Sequence, residues 1–177
     1  FRSRLHLRRN AAGARMNWAG VAILSFVTLQ RLVELPIAQA NQRRLIAEGG
    51  HEIGASHYPY IVALHACWLL ALWWLAPGRP IDVVFLGLFV VIEAGRLWVL
   101  WTLGRRWTTR IIVVPGEQLV ARGPFRFVHH PNYLVVFGEI AVLPLVFGLW
   151  QVAVIFSILN AIILAVRIRA EDHALGR

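Results

Sequence analysis

Long apolar runs alternate with short polar breaks along this 177-residue chain. The runs match a bilayer-crossing helix, for which about 20 mainly apolar residues suffice. The pattern predicts five spans. The first covers Trp18 to Ile37; Arg31 and Glu34 interrupt it and no small-residue cleavage site follows, so it reads as a retained helix rather than a signal peptide. The second runs from about Tyr60 to Ala76, closed by Pro77-Gly78-Arg79-Pro80, and the third from about Ile81 to Leu103. A break this short permits only an antiparallel hairpin. The fourth begins just after Pro131 and reaches about Leu149, with Pro144 placed to kink it, and the fifth runs from about Trp150 to Ile168. Only Phe147-Gly148-Leu149 is left for a turn, so these two form a second tight hairpin, slightly short of full bilayer depth.

Five spans put the two termini on opposite faces. Most of the eight Trp fall near predicted helix ends, where interfacial anchoring places them. The expected class is an all-α integral membrane protein with five transmembrane helices. Composition strengthens that reading: 58% of residues are hydrophobic and 15% charged, against about 45 to 50% and about 25% in soluble domains. A soluble domain of this length has too little interior for that much apolar side chain.

The formal charge of +9, from eighteen Arg against nine acids, would by itself suit a nucleic-acid binder. Placement argues otherwise. Arg2, Arg4, Arg8, Arg9 and Arg15 precede the only methionine, Met16, and residues 1–15 read as an upstream or non-native leader. Residues 16–177 are then one membrane domain, carrying thirteen Arg against nine acids, or +4. Arg43, Arg44, Arg105, Arg106, Arg110, Arg122, Arg126, Arg167, Arg169 and Arg177 gather on one face, and Arg79 stands alone on the other. The positive-inside tendency puts both long loops and the C-terminus in the cytoplasm, with no nucleic acid as partner.

Polar groups inside a bilayer are costly and each is a functional candidate. Arg31 with Glu34, and Glu93 with Arg96, are three residues apart on one helical face and read as local pairs. Glu139 has no cation on its own helix and stands open between a packing network and a polar cavity. His65 reads as a hydrogen-bonded core histidine, and the single cysteine, Cys67, as a small core residue that excludes a disulfide framework. Adjacent His129 and His130 point apart, and no His-Glu-x-x-His spacing or Cys cluster completes a metal site, so none is expected. Rossmann, Walker and serine-hydrolase signatures are also missing.

The densest polar information lies in residues 114–133, where Gly123-Pro124 and His130-Pro131 hold a loop against the membrane surface and Asn132 is placed to cap the fourth helix. That helix start suits an anionic group. Arg167 and Glu171 are i, i+4 on the last helix, beside Arg169 and Asp172. They read either as a salt bridge or as one wall of a pocket opposite the loop.

Gly-Pro-Phe, then His-His-Pro-Asn-Tyr at a helix start, then Arg-x-x-x-Glu-Asp-x-x-Leu resembles the isoprenylcysteine carboxyl methyltransferase family of integral-membrane enzymes. Asn41-Gln-Arg-Arg, Glu52 and His57-Tyr-Pro look like its bacterial branch associated with polyketide synthases that make alkyl pyrones or alkyl resorcinols. The resemblance implies a cytoplasmic pocket for S-adenosylmethionine in a bacterial plasma membrane. It also implies a lipid-like acceptor entering laterally among membrane lipids, with an upstream polyketide synthase as partner. Carried over, Glu117, Gln118, Leu119 and Val120 line one side of the cofactor, Phe125 is the loop aromatic, and His130, Pro131, Asn132 and Tyr133 contact its amino-acid and adenosine parts. Glu171 is the carboxylate at the cofactor and Arg167 faces the acceptor's reacting oxygen. His129 replaces the usual Arg before His-Pro, and Val135 replaces a Gly expected two positions after Tyr133.

A carboxylate acceptor is already ionised near neutral pH and needs no base. An enolic or phenolic hydroxyl needs one, for which His129, His130 and Glu171 are candidates. The leading reading is therefore a membrane O-methyltransferase acting on a prenylated or alkyl carboxylate or on a polyketide hydroxyl. A phospholipid N-methyltransferase and a non-enzymatic membrane scaffold are the alternatives.

Overall fold

A computed structural model describes residues 17–176; the predicted leader lies outside them. Five helices dominate: α1 Trp18–Ala47, α2 Tyr58–Leu75, α3 Val83–Leu103, α4 Pro131–Val146 and α5 Trp150–Ala174. Among the described residues, α1, α2, α3 and α5 are long and apolar enough to cross a membrane and α4 is a shorter apolar helix. The sixteen residues of α4 rise about 24 Å, short of the roughly 30 Å hydrocarbon layer. The protein is an all-α integral membrane protein, with one small exception to the all-helical expectation. Strands β1 His51–Ile53 and β2 Ile111–Val113 pair antiparallel, with Glu52 opposite Ile112. The β-branched run at Ile111 suits an extended backbone, and the ribbon ties the two long loops together.

Local chemistry explains the helix ends. Asn17 caps α1 by accepting from the Gly20 amide, and Asp82 caps α3 by accepting from Val84 and Phe85. Asn17 also donates to the Arg79 carbonyl, and the Asp82 amide to the Val146 carbonyl, joining three chain segments at one end of the bundle. The α4–α5 turn closes at Gly148, whose φ of +66° suits a residue without Cβ. Helix α1 runs ten residues past its predicted end at Ile37, because Ala38 to Ala47 contains strong helix formers and no breaker.

The core packs Leu24, Val27, Trp68, Leu72, Ile140 and Leu143 from α1, α2 and α4 together with Phe147 of the turn that follows α4. Outward positions are apolar too: Trp74 and Trp101 are 87% and 88% exposed. Lipid solvates leucine as well as a neighbouring helix does, so apolar contact discriminates weakly between packings. Charged groups discriminate strongly. Arg96 of α3 donates through Nε and Nη2 to Glu34 of α1 at 2.7 and 2.6 Å, and through Nη1 to Glu139 of α4 at 2.5 Å. Arg31 of α1 reaches Glu139 at 2.5 Å and lies 3.5 Å from Glu34.

Of the two expected local pairs, one is present and one is corrected. Arg31 does lie beside Glu34, but Glu93 pairs with Gln30 at 2.8 Å rather than with Arg96. Glu139 is the carboxylate where α1 and α3 meet α4. Cys67, expected in the core, is exposed because it lies on the outward face of α2. Val135 packs toward Gly95 of α3, its Cγ2 3.7 Å from where a Gly95 side chain would begin, so the glycine sits on the partner helix instead.

Candidate functional site

The site grows from the start of α4. Pro131 occupies the first turn, where its missing N–H costs nothing. His130, not Asn132, stands at the cap position, and it makes no side-chain cap bond; its carbonyl accepts from the Tyr133 and Leu134 amides. Asn132 lies one step inside the helix, which corrects the capping expectation. The His130 imidazole is turned instead toward α5, donating through Nε2 to Asp172 at 3.0 Å with Nδ1 3.6 Å from Glu171. Tyr133 stacks on His130 with ring centres 5.5 Å apart and donates its hydroxyl to Glu171 at 2.7 Å. Two consecutive carboxylates of α5 are therefore met by the cap residue of α4 and by a side chain of its first turn.

Arg167 lies one turn before Glu171 but does not pair with it, which corrects the salt-bridge alternative. Its Nη2 donates to the Thr109 carbonyl at 3.0 Å, its guanidinium stands 5.8 Å from the Tyr133 ring centre, and its Nε is buried without a partner among the described residues. The loop is pinned from the other side. Arg110 lies 4.0 Å over the Tyr58 ring and bonds Glu52 at 2.7 Å, while the Tyr58 hydroxyl meets Thr109 Oγ1 at 3.2 Å. Arg106 donates to the Gln118 carbonyl and pairs with Glu117.

These groups enclose a cavity of about 540 Å³, within the usual range for a small-molecule site. Of the sequence-derived positions, Glu117, Gln118, Leu119, Val120, Phe125, His129, His130, Asn132, Tyr133, Arg167 and Glu171 line it. Pro131 does not: it is buried behind the wall as the first residue of α4. His129 stands at the exposed rim. Arg106, Arg110, Tyr58 and Trp107 also line the cavity and were not singled out by sequence as site residues. Only their neighbourhood, Arg105-Arg106 and His57-Tyr-Pro, carried a signal.

The model of the isoprenylcysteine carboxyl methyltransferase family matches residues 85–177, which include nearly all of α3, then α4, α5 and the intervening loop. The chain belongs to that family, one of membrane methyltransferases. An uncharacterized protein, YpbQ, of Bacillus subtilis (strain 168) is 40% identical over 173 residues, covering 90% of this chain and 96% of the relative. An uncharacterized protein of Haemophilus influenzae (strain Rd) is 26% identical over 154 residues, covering 82% and 88%. No solved structure matches the chain.

Proposed function

We propose that this family member is an S-adenosylmethionine-dependent O-methyltransferase of a bacterial plasma membrane, acting on a lipid-like carboxylate or polyketide hydroxyl. In this reading the loop end of the bundle, with nine Arg among the described residues, faces the cytoplasm. The observation that carries it is the separate engagement of two charges on α5, where Glu171 is held by Tyr133 and Arg167 keeps its Nε without a partner among the described residues.

The lining fits the methyl donor. The fixed Glu171 carboxylate suits a cationic ligand, and Leu119, Val120 and Phe125 offer an apolar and aromatic wall for a purine. Trp107 Nε1, buried without a partner among the described residues, is a hydrogen-bond donor suited to an oxygen or nitrogen of the cofactor. Glu117, Gln118, His130, Asn132 and Tyr133 would hold the amino-acid and adenosine parts. When bound, the donor supplies an electrophilic methyl group on a sulfonium centre.

The chain's residues supply alignment. Tyr133 and His130 fix the Glu171 carboxylate, and Thr109 fixes one arm of Arg167, so the two charges approach a ligand in set directions. Positioning of this kind supplies a large part of a displacement's barrier reduction. Arg167 would hold the acceptor's oxyanion. For a hydroxyl acceptor, His129 at the rim would take the proton outward to water. Membranes holding the protein, given labelled donor and candidate carboxylate, pyrone and resorcinol lipids, should yield label in an oxygen-methylated lipid. Label in phosphatidylethanolamine would instead assign an N-methyltransferase.

A further inference from the structure

The cavity does not end at the loops. On α1 its lining takes in Leu45 and, further along the bundle, Leu35, Glu34, Leu32 and Arg31; the outermost two are fourteen residues and about 21 Å of helical rise apart. Between these ends the walls are apolar, with Leu32, Leu35, Val62 and Leu69 facing it. At the deep end the surface turns polar again.

The buried charge network there has two unlike halves. Arg96 uses Nε, Nη1 and Nη2 on Glu34 and Glu139 and does not line the cavity. Arg31 lines it and, with Glu139 and Glu34 on its terminal nitrogens, keeps Nε buried without a partner among the described residues. Trp68, 1% exposed, also lines the cavity and has its Nε1 buried without a partner. His65 lies with Nδ1 2.8 Å from the Ile61 carbonyl, which accepts only, so the neutral ring donates there and keeps Nε2 as an acceptor. Two unpartnered donors and one acceptor thus belong to side chains lining the inner end of this space, beside Glu34, whose oxygens Arg96 and Arg31 already occupy.

We propose that this inner end is a second polar subsite, holding a hydroxyl carried by the lipid-like acceptor below its methylated end. A plain hydrocarbon would leave both donors unpaired where bulk water is excluded. A carbonyl would serve the donors and leave His65 Nε2 unmet. A hydroxyl accepts from Arg31 or Trp68 and donates to His65. Arg31 bonds Glu139, six residues beyond Tyr133 on α4, so the two oxygens lie on the order of 9 Å apart in depth. The acceptor class is then an oxygenated amphiphile rather than a simple prenyl or alkyl chain.

The inference rests on the methyltransferase reading, so its test measures binding rather than turnover. The full chain in lipid nanodiscs would be titrated with saturated fatty acids of one length, unsubstituted or carrying one hydroxyl at successive positions. Wild type, Trp68→Phe and His65→Phe would be compared, with S-adenosylmethionine binding measured in the same preparations. One hydroxyl position should bind about tenfold tighter than the unsubstituted acid in wild type. Both variants should lose that preference while binding the unsubstituted acid as before. Equal binding of all the acids, or a preference surviving both substitutions, overturns the subsite. If the methyl donor still binds in that case, the methyltransferase reading stands; a wild-type protein that binds no donor removes that reading and the subsite with it.

Discussion

Tyr133, at the start of α4, donates its hydroxyl to Glu171, near the end of α5, at 2.7 Å. The bond spans the cavity wall between two helices whose far ends are joined by the tight turn at Gly148. It fixes a carboxylate that would otherwise swing on a helix terminus. Tyr133→Phe keeps the ring and its stacking on His130 but releases Glu171. A hydrogen bond to a charged group contributes about 1.5–3 kcal/mol, so Kd for S-adenosylmethionine should rise about tenfold or more, measured by calorimetry. Thermal stability should fall by no more than that one bond's contribution, since the core packing is untouched.

Arg96→Met should be far more damaging to the fold than to the site. It leaves Glu34 and Glu139 to share Arg31 alone, and breaking a buried pair from one side costs about 3–5 kcal/mol. Thermal unfolding in detergent should show a large loss, whereas Arg44→Met, which removes an exposed α1 pair with Glu48, should cost at most about 1 kcal/mol.

Gly123 sits at φ +58°, and a Cβ there would collide with Thr102 Oγ1 and stand 3.0 Å from Thr102 Cγ2. Gly123→Ala should push the loop carrying Phe125 away from α3 and weaken methyl-donor binding. Adding Thr102→Ala should restore binding only in part. The clash is then relieved, but the left-handed backbone still costs an L-residue about 1–2 kcal/mol.

Much of this architecture was legible in the chain, and the reasons are local. Pro77-Gly78-Arg79-Pro80 and Phe147-Gly148-Leu149 mark both hairpins, and the two ends of the cavity wall appear as His-Pro-Asn-Tyr and Arg-x-x-x-Glu. What escaped was the choice of partner across helices. Glu139 meets Arg96 and Arg31 at separations of 43 and 108 residues, so no helical spacing rule reaches them, and i, i+3 neighbours were read as pairs by default. For Arg167 and Glu171 the spacing left a salt bridge and a pocket wall both open; Thr109 and Tyr133 engage them separately, and both line the cavity. The β1–β2 ribbon was invisible because each strand has only three residues and is defined by the other.

The proposed orientation has its own test. Since Cys67 is the only cysteine, Cys67→Ala provides a background for single cysteines placed at Gly78, in the α2–α3 turn, and at Arg126, in the loop. A membrane-impermeant maleimide applied to intact cells should label the first and spare the second until the membrane is opened. The reverse pattern would put the cavity mouth outside.

The division of labour on α5 is the central claim, and one paired measurement reaches it directly. Donor binding and label transfer to membrane lipid would be followed in wild type, Glu171→Gln and Arg167→Ala. Glu171→Gln should lose donor affinity, while Arg167→Ala should bind the donor within about threefold of wild type and lose transfer. Near-normal binding and transfer in both variants would contradict the account.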